Sequence, residues 1–278
     1  MQLPVSTKQR TPRPAPPSAD PTRPPRVLIT GAAGAIATPL ARDLAGDFSL
    51  VALDVSPVRE PEYWVEVHKL SVGDRDAVLG LAGDVDYVLH LAHGAYSGWE
   101  GLQEVDIDGT RNVLDGALDG PCRRVVLAST NHVSGWSELD HLAGLPAPVP
   151  IRPEDPPRPD GLYSVAKVAM EAMGRAAAEC FALPVSVLRV GTCRAVDDVE
   201  QAAREPEFAY IGDLDAVRRL AQSWLAHADL FRIVREELAA TETYRLRYAI
   251  SSTDDVLWSS APQAWTAPAA DTRAPSGG

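Results

Sequence analysis

Tyr163 and Lys167, in the stretch DGLYSVAK, stand four residues apart. On a helix that spacing puts both side chains on one face. An ammonium beside a phenol lowers the phenol's pKa from about 10 toward the working range of an enzyme, which makes a tyrosinate available as a base. Tyr–Lys pairs also arise on helices by chance, so this one gains weight only from its surroundings. Upstream, the run RRVVLAST ends in Ser129-Thr130. As a strand of an open α/β sheet it would release these hydroxyls at the carboxyl end, where such sheets bind ligands. Hydroxyl, phenol and ammonium together can take a proton from an alcohol while its carbon gives up a hydride.

A hydride needs an acceptor, and PRVLITGAAGAIATPL, residues 25–40, offers a place for one. Val27-Leu28-Ile29 reads as a short strand buried on both faces, and Ile36–Leu44 has apolar residues at helical spacing. Gly31 and Gly34, with Ala35 and Ile36, therefore occupy the turn from strand to helix. Glycine there lets backbone N–H groups approach a phosphate at a helix N-terminus, although a bare structural turn would look the same. Asp54, at the end of LVALDVS and twenty positions past Gly34, decides for a dinucleotide. A carboxylate at that place accepts the ribose hydroxyls and repels a 2′-phosphate, so the expected cofactor is NAD. Asp74 in VGDRDAV either bonds the adenine or caps the helix that follows. YVLHLAHG ends a further strand in small residues, so Leu91 and Ala92 are expected to bring backbone close to the cofactor.

The elements that must position these residues alternate. Strands are expected at 26–30, 50–54, 86–92, 124–129, 184–190 and 246–250, with a further one before Asp74. Helices are expected near 35–46, 75–82, 99–118, 162–181 and 228–240. That alternation specifies an α/β fold with a doubly wound parallel sheet of Rossmann type. A single unit over 26–266 would carry a small C-terminal substrate lobe built mainly from 190–266. Eight of residues 1–25 are proline, with almost nothing apolar among them, and residues 267–278 have a similar character. Both ends read as disordered tails.

Composition narrows the function. A net charge of −12 argues against nucleic acid as a partner. Cys122, Cys180 and Cys193 form an odd set without metal-ligand spacing, which fits a reducing, cytoplasmic setting and implies no metal. No apolar run is long enough for a membrane span.

The assembly resembles the extended short-chain dehydrogenase/reductase superfamily, whose members carry a TGxxGxxG turn, a Ser/Thr and a YxxxK pair. A narrower likeness in ASTNHVSGW, PDGLYSVAK, LRVGTC and RRLAQSWLAHADLF is to the uronate dehydrogenases, which oxidise free hexuronic acids at C1 with NAD. The resemblance implies that Thr130 is the catalytic hydroxyl beside Tyr163 and Lys167, and that Lys167 also bonds the nicotinamide ribose. It further implies that Asn131 and His132 bond sugar hydroxyls, that Thr192 lines the pocket, and that Arg219 holds the substrate carboxylate. An Arg fork suits a carboxylate bidentately, while from the residues alone Arg218-Arg219 could be a solvated face.

Other histidines, His90 and His93, read as structural or loop residues. His227 and Asp229 open the helix near 228, and Cys193 is a pocket-wall candidate. Only 89 residues follow Arg189, which suits a small free sugar acid better than a nucleotide-linked sugar. The chain departs from the family pattern at Ala37, which replaces the third glycine. Asp106 in EVDIDGT replaces the usual Asn and is expected to weaken bonds behind the nicotinamide. An extra acidic stretch at 194–217 could cover the pocket. A sugar epimerase or dehydratase on the same scaffold, and a non-catalytic NAD-binding protein, are the competing functions. Helix faces near 99–118 and 162–181 offer a surface for a homo-oligomer.

Overall fold

The computed structural model describes residues 22–95, 97–205, 213–251 and 257–266. Both proposed tails therefore lie almost wholly outside the described residues. Within the described start, Arg23 reaches Asp86 Oδ2 at 3.0 Å.

Eight strands form one sheet: β1 (Arg26–Thr30), β2 (Ser49–Asp54), β3 (Glu66–Lys69), β4 (Tyr87–His90), β5 (Arg124–Thr130), β6 (Val185–Val190), β7 (Tyr244–Ala249) and β8 (Gln263–Trp265). Their order is β3-β2-β1-β4-β5-β6-β7-β8. All neighbours pair in parallel except β8, which runs antiparallel to β7. The chain winds outward from β1 to β3, then returns to β4 on the other side of β1. This reversal opens a crevice at the carboxyl ends of β1 and β4, where open α/β sheets bind ligands.

The helices are α1 (Ala37–Leu44), α2 (Arg75–Ala82), α3 (Gly98–Gly101), α4 (Thr110–Asp119), α5 (Gly135–Leu142), α6 (Leu162–Phe181), α7 (Val199–Ala203), α8 (Asp213–Ser223) and α9 (His227–Ala239). Two apolar layers cover the sheet. One joins Leu28, Val51, Val125 and Val187 to Val113, Leu114, Met170 and Ala177 on α4 and α6. The other joins Ile29, Ala52, Val126 and Leu188 to Leu40 and Leu44 on α1 and Leu230, Ile233 and Val234 on α9. All seven residues of β5 are buried, as its unbroken apolar run requires of a strand covered on both faces.

Several expectations are corrected. The stretch 99–118 is not one α-helix: a π-helical segment, Leu102–Gly109, separates α3 from α4. The segment holds buried polar groups that a simple helical face does not show. Asp106 is drawn inward to 0% exposure, while Thr110 Oγ1 bonds the Asp106 carbonyl at 2.6 Å. Leu91 and Ala92 leave the sheet after β4 rather than extending it. α5, α7, α8 and β8 lie among the segments without an assigned element. α7 falls inside the acidic stretch, of which residues 206–212 lie outside the described residues. Among the described residues no helix is long and apolar enough to cross a membrane.

Candidate active site

A cavity of about 400 Å³ opens at the crevice between β1 and β4. Its walls include the predicted Gly31, Gly34, Ala35, Ile36, Asp54, Leu91 and Ala92, together with Ser71, His93, Cys193 and Arg194. Gly31 has φ +69°, and a Cβ there would meet the Ala92 nitrogen at 2.7 Å and the Leu91 carbonyl carbon at 2.9 Å. The turn thus needs glycine both for its left-handed backbone and for its approach to the opposite wall. Gly31→Ala should lower thermal stability by several degrees, since left-handed strain alone costs about 1–3 kcal/mol. It should weaken NAD binding as well, because the 91–92 wall must move. Calorimetric melting and NAD titration check both effects.

Asp54 ends β2 on the cavity wall. Its Oδ2 accepts from the Ala33 N–H at 2.9 Å and its Oδ1 from the Ser56 N–H at 2.8 Å. The carboxylate is thereby oriented in advance, with lone pairs left for further donors. Asp74 is not among the cavity residues. It caps α2, accepting from the Ala77 N–H at 3.4 Å, which is the other of its two sequence readings. Cys193 lies in the wall, and burial pushes its thiol up to about 12, so it is an apolar surface rather than a nucleophile.

Beside the cavity, α6 carries Tyr163 and Lys167. The Lys167 ammonium is 1% exposed and donates to the Ala128 carbonyl of β5 at 2.9 Å. It also meets Asp106 Oδ1 at 2.9 Å and stands 5.7 Å from the Tyr163 ring centre. The His93 ring meets Tyr163 edge-on at 6.1 Å between centroids, which joins the phenol to the cavity wall. From the sequence alone His93 is a structural or loop residue. Its position just past the strand end in HLAHG, at the same edge as Leu91 and Ala92, was the available signal. His90 is structural, as expected. It is fully buried between Thr30 Oγ1 at 2.7 Å and Thr110 Oγ1 at 3.1 Å. Burial, with the Lys167 charge adding to it, brings its pKa down to about 3, so it stays neutral.

At the end of β5 the two hydroxyls diverge. Ser129 turns into the core and donates to Glu171 Oε1 at 2.5 Å. Glu171 is held in turn by the Arg189 fork at 3.0 and 2.9 Å. Thr130 Oγ1 instead accepts the His132 N–H at 3.2 Å. His132 Nδ1 lies 2.7 Å from Asp160 Oδ2, and Asp160 Oδ1 accepts from Ser164 Oγ at 2.9 Å. This chain ties the Asn131-His132 turn to the start of α6, next to Tyr163. The bond to Asp160 raises the His132 pKa against burial.

Arg219 completes the group from α8. Its Nε donates to Glu138 Oε1 of α5 at 2.9 Å, with Glu138 only 4% exposed and Arg219 21%. Four residues on, Ser223 Oγ is 2.9 Å from Thr192 Oγ1, and the Thr192 N–H donates to the Ser223 carbonyl at 2.7 Å. Thr192 and Arg219 are therefore anchored by adjacent turns of one helix. Thr130 ends β5, Asn131 and His132 follow it, Thr192 follows β6, and Lys167 reaches the Ala128 carbonyl near the end of β5, while none of these residues, nor Tyr163 or Arg219, is among those that line the cavity. Arg219 is an ion-pair partner and not a solvated face.

A profile of the NAD-dependent epimerase/dehydratase family matches residues 27–218. The chain belongs to that family. It is an NAD-dependent enzyme of the short-chain dehydrogenase/reductase type. It is 33% identical over 227 residues to an L-arabinose 1-dehydrogenase (NAD(P)(+)) of Haloferax volcanii, spanning 78% of this chain and 83% of that one. To a uronate dehydrogenase of Pseudomonas syringae pv. tomato it is 27% identical over 241 residues, 84% and 77% of the two chains. The crystal structure of uronate dehydrogenase from Agrobacterium tumefaciens superposes with a TM-score of 0.69 at 23% identity, over 85% of this chain and 80% of that one. That likeness carries the fold. Among the described residues no cluster of His, Cys, Asp and Glu could hold a metal ion.

Proposed function

We propose that this family member oxidises a free hexuronate, such as galacturonate or glucuronate, at C1 to the aldarolactone. The observation that carries the reading is Arg219, held by Glu138 beside the His132–Asp160 pair and Thr192. A guanidinium so placed can receive a carboxylate at the far end of a sugar whose C1 lies near Tyr163. NAD fits the cavity because Gly31 leaves room that any Cβ would fill and Asp54 faces the space as a fixed acceptor. Gly31, Gly34, Ala35 and Ile36 would lie against the diphosphate, and Leu91 and Ala92 would close the opposite wall. When bound there, NAD supplies the acceptor for the hydride from C1.

The side chains do the rest. Thr130 donates to the C1 oxygen and keeps it within reach of Tyr163, which takes its proton as the C1–H bond breaks and a C1 carbonyl forms. Lys167, fixed by Ala128 and Asp106, stabilises the ionised phenol and bonds the nicotinamide ribose. Asn131 and His132 bond sugar hydroxyls, and Thr192 borders the pocket. A second reading, oxidation of a neutral aldose, is favoured by one observation: Glu138 already neutralises Arg219. Incubation with NAD and a panel of uronic acids and their parent sugars tests the proposal. Rapid NADH formation with uronic acids alone supports it, and preference for neutral sugars replaces it with the second reading.

The oriented Asp54 carboxylate should make NADP at least tenfold worse than NAD, about 1.4 kcal/mol. Its negative charge would face the 2′-phosphate. Steady-state kinetics with both cofactors check this, and equal turnover with NADP would remove Asp54 from that role.

A further inference from the structure

Asp106 stands where the family pattern has Asn, yet its surroundings suit a carboxylate and not an amide. It is 0% exposed. One oxygen meets the Lys167 ammonium at 2.9 Å, and the other accepts the Gly94 N–H at 2.8 Å. The first contact is an ion pair and the second a hydrogen bond, and both neighbours carry N–H groups. A carboxylate offers an acceptor to each, whereas a carboxamide would set its NH₂ against one of them. Gly94 follows His93, which lines the cavity and touches Tyr163. A single side chain thus joins the ammonium to the cavity wall, where loosened bonds were expected from sequence.

We propose that Asp106 is a positioning residue that locks Lys167 and the 91–94 wall into one arrangement, and that its negative charge sets where the acid limb of the pH profile lies. The proposal rests on Tyr163 as the base. The charges around Tyr163 are few. From α6 comes Lys167; Glu171, further along that helix, is committed to Arg189 and Ser129. From β4 and the following loop come His90, buried between two threonines, and His93. Asp54 acts on His93 from across the cavity. The His132–Asp160 pair lies at the start of α6. On the π segment Glu104 and Asp108 are exposed, with Glu104 taking the Ser71 hydroxyl. Glu100 of α3 is exposed, and Arg111 of α4 and Arg75 of α2 share Asp115 of α4. Asp106 is therefore the buried counterion of the ammonium nearest the phenol.

Removing its charge leaves that ammonium uncompensated, which favours ionised Tyr163. The test is the pH profile of kcat/KM with NAD and galacturonate for wild type and Asp106→Asn. The variant's acid limb should move down by on the order of one pH unit, while its plateau kcat falls because Lys167 is no longer held. A profile that superposes on wild type after scaling overturns the proposal. If Asp106→Asn does not fold, Lys167→Met provides the test by melting. It should melt several degrees below wild type, because it leaves a buried carboxylate unpaired. Adding Asp106→Asn to it should recover most of the loss. Lys167→Met melting like wild type overturns the proposal. Turnover retained by Tyr163→Phe would instead defeat the base assignment, whereas an unmoved limb in an enzyme that needs Tyr163 defeats only the role of Asp106.

Discussion

Tyr163→Phe is expected to lower kcat by roughly 100- to 10,000-fold, the range a positioned general base supplies. The loss should be in kcat, with NAD affinity nearly unchanged. The phenol oxygen is removed, but the ring that meets His93 at 6.1 Å and lies beside the Lys167 ammonium remains. Lys167→Ala differs in kind, because the ammonium is buried against Ala128 and Asp106 and is also assigned to the nicotinamide ribose. It should impair cofactor binding and turnover together. Stopped-flow turnover and NAD titration of both variants separate the two effects. More than a few per cent of wild-type activity in Tyr163→Phe would mean that another group accepts the proton.

Arg219→Ala should reduce kcat/KM for galacturonate or glucuronate by about 30- to 1000-fold, corresponding to roughly 2–4 kcal/mol for a partly desolvated bidentate pair. The slow oxidation of the neutral parent sugars should change by only a few-fold. Glu138 shapes the design of the experiment. It is buried and would lose its partner, so the single variant also places an unpaired carboxylate near the substrate's own. The double variant Glu138→Gln/Arg219→Ala removes that repulsion and should still discriminate poorly between acid and neutral sugars. Arg219→Lys should restore part of the loss, because a point charge cannot reproduce the fork. The quantity to measure is the ratio of the two specificity constants. An equal fall for both substrates makes Arg219 a structural partner of Glu138 and favours the neutral-aldose reading.

The doubly wound sheet was legible because its signal is local and repeated. β1 and β5 carry unbroken apolar runs, 27–29 and 125–128, β6 is apolar apart from Ser186 and Arg189, and the segment before each following helix carries small residues or a cap. The glycine turn and Asp54 were legible for the same reason, since their spacing follows from strand and helix geometry. The π segment was not. Its apolar residues fit a helical period, and the ion pair made from it, Asp106 with Lys167, joins residues 61 positions apart in the chain. Asp106 itself read as a weakened Asn, because nothing local reveals that two donors converge on it. His93 was overlooked because a histidine in a loop is usually unremarkable, and only the fold places it against Tyr163. Asp74 had two readings of equal merit in the sequence, and the Ala77 N–H shows the capping one in the structure.

On the proposed function, a free sugar acid loses hydride and proton at C1 in this site. The most direct test follows galacturonate labelled at its anomeric carbon by NMR during incubation with the enzyme and NAD. The predicted result is conversion of the anomeric resonance to a lactone carbonyl, in step with an equal amount of NADH. A labelled carbon that stays anomeric, with a new sugar isomer or dehydrated product and no net NADH, would contradict the claim.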